Sequence, residues 1–127
     1  MSYTLQTRVD GEFDDVVSET TDALEDEGFG VLCDIDVQET LKRKLDEDFR
    51  RYRILGACNP GLAHRGLEDD LDLGTLLPCN VVVYDADDGV VVSAVDPQRL
   101  IGVADNDDLD PIGDDALERF ERVLERL

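Results

Sequence analysis

No apolar run in this chain approaches the ~20 residues of a membrane span, so no segment reads as a transmembrane helix. The first residues, Met1-Ser2-Tyr3-Thr4-Leu5, lack the basic and apolar regions of a signal peptide. There is no Cys-x-x-Cys pair, and three cysteines are an odd number for a disulfide framework. These absences predict a cytoplasmic protein with free thiols and no membrane partner. Repeats, linkers and low-complexity boundaries are also missing. The 127 residues are therefore expected to form a single domain, 1–127. A chain of that length can bury roughly 65–70 % of the surface its unfolded form exposes, without staples.

Lysine is nearly absent, with Lys42 and Lys44 the only two, against 32 acidic residues and a net charge of -20. Acid in this excess, spread over the whole length, keeps a surface hydrated in molar salt. Such salt in turn screens the self-repulsion, because the Debye length falls to about 3 Å at 1 M. The expectation is a halophilic, salt-rich cytoplasm. An acidic interaction protein would instead gather its acids in a tail. The same charge excludes nucleic acid as a partner, since binding would set a polyanion against phosphates. One window breaks the pattern. Lys42, Arg43, Lys44, Arg50, Arg51 and Arg53 outnumber Asp46, Glu47 and Asp48 by three, and the remainder of the chain carries -23. This window is either a face paired with acids elsewhere or a site for a small anion that engages Arg51 or Arg53.

What is present reads as alternating strands and helices. Residues 3–9 alternate as a strand, and Phe13, Val16, Val17, Thr20 and Leu24 follow helical spacing until Gly28. Val31, Cys33 and Ile35 are expected to share one apolar face of a second strand. Asp36-Val37-Gln38-Glu39 has the form of a capping box, opening a short helix that should turn Val37, Leu41 and Leu45 inward. Tyr52 to Ala57 is a third strand. Asn59-Pro60 then supplies an N-cap and a proline for a helix with Ala63, Leu67 and Leu71 as its stripe. Val81–Tyr84 and Val90–Val95 form a hairpin through Asp85-Ala86-Asp87-Asp88-Gly89. Asp96-Pro97 repeats the cap-plus-proline signal, and Ala116 to Leu127 make a final amphipathic helix.

The predicted class is α+β, an antiparallel sheet with helices on one face. Val81-Val82-Val83 and Val90-Val91-Val92 are apolar at consecutive positions, so both faces of those strands need cover. One layer of helices covers one face. The simplest cover for the other is a second copy, which predicts a symmetric homodimer through the sheet.

The chemistry-bearing residues cluster at two Cys-Asn pairs. Cys58 precedes the cap of the helix beginning near Pro60, where the positive end of a helix dipole favours a thiolate. Arg51, Arg53, Cys58, Asn59, Pro60 and Cys79 are therefore the candidate ligand-binding residues. Buried structural thiols are the alternative for Cys58 and Cys79, and Cys33 reads as core. His64, the only histidine, could join Cys58 and Cys79 around zinc or copper, but the spacing is irregular and no fourth ligand is evident. A solvent-facing histidine is the simpler reading. A Cys58–His64 hydrolase lacks an orienting partner. Gly28-Phe29-Gly30 and Gly56 do not form a phosphate loop. The pairs Asp69-Asp70, Asp87-Asp88 and Asp114-Asp115 lack the ordered ligand series of a calcium loop. No catalytic residue, resident metal or cofactor is named by these motifs. The reading is a small-ligand binding or sensing domain, with a thiol-dependent enzyme or a thiol metal-binding protein as alternatives.

Four segments together resemble domain-of-unknown-function family 302, small bacterial and archaeal proteins. They are Gly28-Phe29-Gly30 with Asp36-Val37 and Thr40-Leu41-Lys42; Tyr52-Arg53-Ile54-Leu55-Gly56-Ala57-Cys58-Asn59-Pro60; Leu77-Pro78-Cys79-Asn80-Val81-Val82-Val83-Tyr84; and Val95-Asp96-Pro97. The resemblance spans residues 3–127. It implies a β-α-β4-α fold of the TATA-binding-protein-like group, with short inserted helices, and a homodimer. It does not bring DNA binding with the fold, because function belongs to sites. It implies no catalytic residues, and it makes Cys58 and Cys79 marks of a subgroup rather than of a general mechanism.

Overall fold

A computed structural model describes residues 2–127. Five strands form one antiparallel sheet: β1 (Thr4–Val9), β2 (Gly30–Asp36), β3 (Tyr52–Cys58), β4 (Cys79–Ala86) and β5 (Gly89–Val95). Their spatial order is β1-β5-β4-β3-β2. The helices are α1 (Phe13–Asp26), α2 (Val37–Leu45), α3 (Pro60–Asp69), α4 (Pro97–Gly102) and α5 (Asp110–Glu125), with 3-10 segments at Leu71–Leu76 and Asp107–Leu109. The mixed α+β class and the antiparallel sheet match the sequence expectation. Among the described residues, no helix is long and apolar enough to cross a membrane.

Local chemistry places the helix starts. Asp36 accepts from the Glu39 N–H at 2.9 Å, Asn59 from Leu62 at 3.1 Å and Asp96 from Gln98 at 2.9 Å. Each satisfies a donor that the helix itself leaves unpaired, and Pro60 and Pro97 occupy first-turn positions that need no N–H.

The helices close one face of the sheet. Phe13, Val16 and Leu24 of α1 and Phe120 and Val123 of α5 pack against Leu55, Val81, Val83, Val92 and Ala94. Phe29 and Phe120 stack there with centroids 4.6 Å apart. Full burial of each such side chain is worth about 1.5–3 kcal/mol, so this layer holds the fold. A second cluster of Leu62, Leu73, Ile101, Leu109, Ile112 and Ala116 ties α3 and the 3-10 segments to α4 and α5.

No helix layer closes the opposite face, although two of its residues, Val91 and Ser93, are buried within the chain itself. Register and alternation turn Thr4, Gln6, Arg8, Val91, Ser93, Val95, Asn80, Val82, Tyr84, Tyr52 and Ile54 outward. Ile35 and Cys33, paired with Ile54 and Gly56, join them. Among the described residues, no carboxylate occupies an outward strand position of this face, and Arg8 is its only charge, paired with Asp88 of the hairpin turn. Tyr52 and Tyr84 stack at 5.5 Å on adjacent strands. Burial raises the Tyr52 phenol pKa, helped by Tyr84 and Tyr3. A concavity of about 510 Å³ runs along this surface between Tyr3, Tyr52, Asn80 and Tyr84.

Three local expectations are corrected. A bulge between Val31 and Cys33 shifts the register of β2, so Val31 faces the helices while Cys33 faces the open side and is exposed. Cys33 is therefore not core. Its Sγ lies over Gly56, where an added Cβ would meet the sulfur at 2.5 Å and Pro78 at 2.9 Å, so a side chain there would force both neighbours to move. Helix α2 forms as expected but buries none of its residues; Val37 and Leu41 are only half-buried and Leu45 is 64 % exposed. In α3, Leu62 and Gly66 make the buried line, while Leu71 lies beyond the helix and is 86 % exposed.

Candidate functional site

Strand β3 ends at Cys58, and Asn59 immediately caps α3. The chain returns through Leu71–Leu76 and a cis Leu77–Pro78 peptide to start β4 at Cys79. Cys79 lies opposite Ala57 in the ladder, so the two Cys-Asn pairs, twenty-one residues apart in sequence, meet at one corner of the sheet. There Cys58, Asn59 and Cys79 line a small, partly open void of about 40 Å³. Phe29, Leu62, Leu73, Leu77, Pro97, Ile101, Ile112 and Ala116 supply its remaining wall, nearly all apolar. A void of that size and lining holds a few non-hydrogen atoms and has too few polar partners to retain water.

The thiols are free and half-buried. Burial pushes the Cys79 thiol up to about 11, and the neighbouring Cys58 adds to the shift. At neutral pH Cys79 is therefore protonated and a poor nucleophile. The α3 start is closed to an anion for the same reason that it is well formed. Pro60 has no N–H, Leu62 donates to Asn59 Oδ1 and Ala63 donates to the Asn59 carbonyl at 2.9 Å. Only the Gly61 N–H of the first turn is left to donate. Pro60 itself is exposed and does not line the void.

The two arginines lie elsewhere. Arg53 is five residues from Cys58 along β3, about 17 Å at the rise of a strand. It grips Asp34 of β2 with two parallel hydrogen bonds, Nε at 2.7 Å from Oδ1 and Nη2 on Oδ2. That hydrogen bonding raises the guanidinium pKa above its ordinary value. Arg51 pairs with Asp14 at the start of α1 and lies 4.5 Å over the Phe13 ring. Both side chains thus anchor the far end of β3 to its neighbours. The structure brings Cys58, Asn59 and Cys79 together and leaves Arg51 and Arg53 apart from them.

His64 points to solvent and pairs with Glu68 one turn on, at 2.9 Å. Among the described residues, no group of three or more His, Cys, Asp or Glu side chains is arranged to hold a metal ion. Sequence reasoning missed Phe29, Pro97 and Ile112 as walls of the void. Phe29 carried a signal in its two flanking glycines: Gly28 has φ +86°, and an added Cβ there would strike Asn59 and Arg119. Arg119, which donates to the Glu27 carbonyl at 2.7 Å, pins that turn against the Asn59 cap. Ile112 carried none, because it arrives from α5, more than fifty residues away in sequence.

Comparison with known proteins agrees with this architecture. No curated protein matches the chain. A crystal structure of the uncharacterized conserved protein DUF302 from Bacillus stearothermophilus superposes with a TM-score of 0.92 at 31% sequence identity, covering 99% of this chain and 98% of that one. The family model "Domain of unknown function DUF302" matches residues 5–127, and the chain belongs to that family.

Proposed function

We propose that this protein is a homodimeric small-ligand binding or sensing module of a salt-rich cytoplasm, with its ligand at the Cys58–Asn59–Cys79 corner. The observation that carries the reading is the shared apolar void onto which both thiols open, at the junction of two strand ends and three helices. Its lining favours an uncharged, apolar ligand of a few heavy atoms over the small anion that the arginines had pointed to. Arg51 and Arg53 are already committed to Asp14 and Asp34, and the α3 start keeps one free donor. A thiol-dependent enzyme is less well supported, because Cys79 is held protonated. A thiol metal site would have two sulfur ligands, an arrangement that suits a soft ion such as Cu(I).

The dimer is supported by the open sheet face. In a chain with 32 acidic residues, a contiguous strand surface without a carboxylate is a place where two copies can meet without repulsion. Its Val82, Ile54, Val95, Tyr52 and Tyr84 supply the apolar area for such a contact.

The test uses xenon as a small apolar probe, on the protein in molar salt, with methyl-region NMR and site-resolved iodoacetamide labelling. The expected result is xenon-induced shifts confined to Leu62, Leu73, Leu77, Ile101 and Ile112, with slower labelling of Cys58 and Cys79. No shift, together with labelling limited by global unfolding, would reduce the void to a packing defect and end the reading. Cu(I) binding with loss of both thiols to labelling would transfer the site to metal handling.

A further inference from the structure

Helix α2 and the irregular residues 46–51 form an arm that is well built yet buries almost nothing. Asp36 caps its start, and Asp46 ends it in the left-handed conformation at φ 53°. Gln38 Nε2 donates to the Phe49 carbonyl at 3.0 Å, and Arg50 Nη1 to the Asp85 carbonyl at 3.0 Å. Lys42 pairs with Asp46 at 3.0 Å, and Arg43 with Glu39 at 3.3 Å. Still, every residue from Lys42 to Arg50 is exposed, including Leu45 at 64 % and Phe49 at 44 %. An isolated helix shorter than about 12–15 residues is marginal in water, and most helical stability in proteins comes from packing an amphipathic face. A nine-residue helix with an uncovered apolar side therefore calls for an external surface.

Two observations identify that surface. The Phe49 ring meets Tyr52 at 6.1 Å, and Tyr52 stacks on Tyr84, so the apolar side of the arm is continuous with the open sheet face. The arm also differs in charge from everything around it. Residues 37–50 carry four basic and four acidic side chains and hold both lysines of the chain, whereas the rest of the molecule carries the whole excess of -20. A neutral, lysine-bearing arm is complementary to an acidic protein surface, and the nearest such surface is a second copy across the sheet face.

We infer that the arm is an inter-subunit clasp: each copy lays Leu45 and Phe49 on its partner at the rim of the sheet interface, with Lys44 reaching partner carboxylates. This rests on the homodimer proposed above and adds to it which segment crosses between copies.

The test separates the two. Isotope-labelled and unlabelled protein are mixed in molar salt, and sedimentation equilibrium establishes the dimer first. Lysine amines are then coupled to carboxylates with a zero-length carbodiimide, and mixed-isotope products are read by mass spectrometry. With only two lysines, every link that does not start from the N-terminal amine runs from Lys42 or Lys44, and mass spectrometry tells the two kinds apart. The clasp predicts inter-copy links from Lys44. It also predicts that Leu45→Ser with Phe49→Ser abolishes them and raises the dimer Kd at least tenfold, while the circular dichroism of the sheet is kept. A dimer whose Kd is unchanged in that variant, with all lysine links inside one copy, overturns the clasp and leaves the dimer standing. A monomer at every concentration and salt level overturns both.

Discussion

The two faces of the sheet are made of the same kinds of residue and end in opposite states. Val81, Val83 and Val92 lie against α1 and α5 and are wholly buried; of the valines on the same strands that look outward, Val82 and Val95 stay half-exposed and only Val91 is buried. The closed face keeps acids at its margin, where Asp14 and Asp34 are held by Arg51 and Arg53. Among the described residues, the open face has no acid at an outward strand position. Burial by the chain's own helices and burial by a second molecule place the same demand on a strand, which is two apolar sides. Only the helix cover is part of this chain. The acid-free surface is the feature on which the proposed dimer rests.

The largest effect expected comes from breaking the closed face. Phe120→Ala removes a fully buried ring that stacks on Phe29 and should cost about 3–5 kcal/mol, read from denaturant unfolding at constant salt. Placing an acid on the open face is the converse test. Val82→Asp should weaken the dimer by about a hundredfold, roughly 2.7 kcal/mol, with far-UV circular dichroism unchanged, measured by sedimentation. If Val82→Asp instead unfolds the chain, or leaves association untouched, the contrast between the faces has been misjudged.

The corner between the faces predicts a pH dependence. The Cys79 thiol has its folded pKa raised to about 11 from an ordinary 9.0, so the folded state binds the proton more tightly than the unfolded one. Its contribution is fully present below pH 9 and is lost as the pH rises toward 11. The loss amounts to about 2–3 kcal/mol. Wild-type stability should fall across that interval, and Cys79→Ala should lose this component of the fall, as measured by chemical denaturation at several pH values. The smallest effect belongs to the edge of the closed face. Arg51→Ala gives up one half-exposed ion pair and its contact with Phe13, worth about 0.5–1 kcal/mol, and this should shrink further as salt rises.

Much of this was legible residue by residue. The caps at Asp36, Asn59 and Asp96, the hairpin at Gly89 and the doubly apolar valine runs are local signals, and each marked its element correctly. Two things were hidden. The bulge at Val31/Cys33 moves a cysteine from one face to the other, and a period-two reading cannot detect one extra residue. The candidate site was gathered from arginines and cysteines close in sequence, but a strand is extended, so five residues of β3 carry Arg53 about 17 Å from Cys58. Cys79, far off in sequence, comes close because antiparallel pairing sets it beside Ala57.

The sequence by itself determined the element order, the helix starts, the α+β class and the acidic surface, because caps, turns, periodicity and charge act over a few residues. Tertiary structure alone decided which thiols share a void, which arginines are already paired and which apolar stripes are left uncovered. Those are matters of register and of the crossing of α3, α4 and α5 at one corner, and they depend on contacts between residues that the chain holds tens of positions apart.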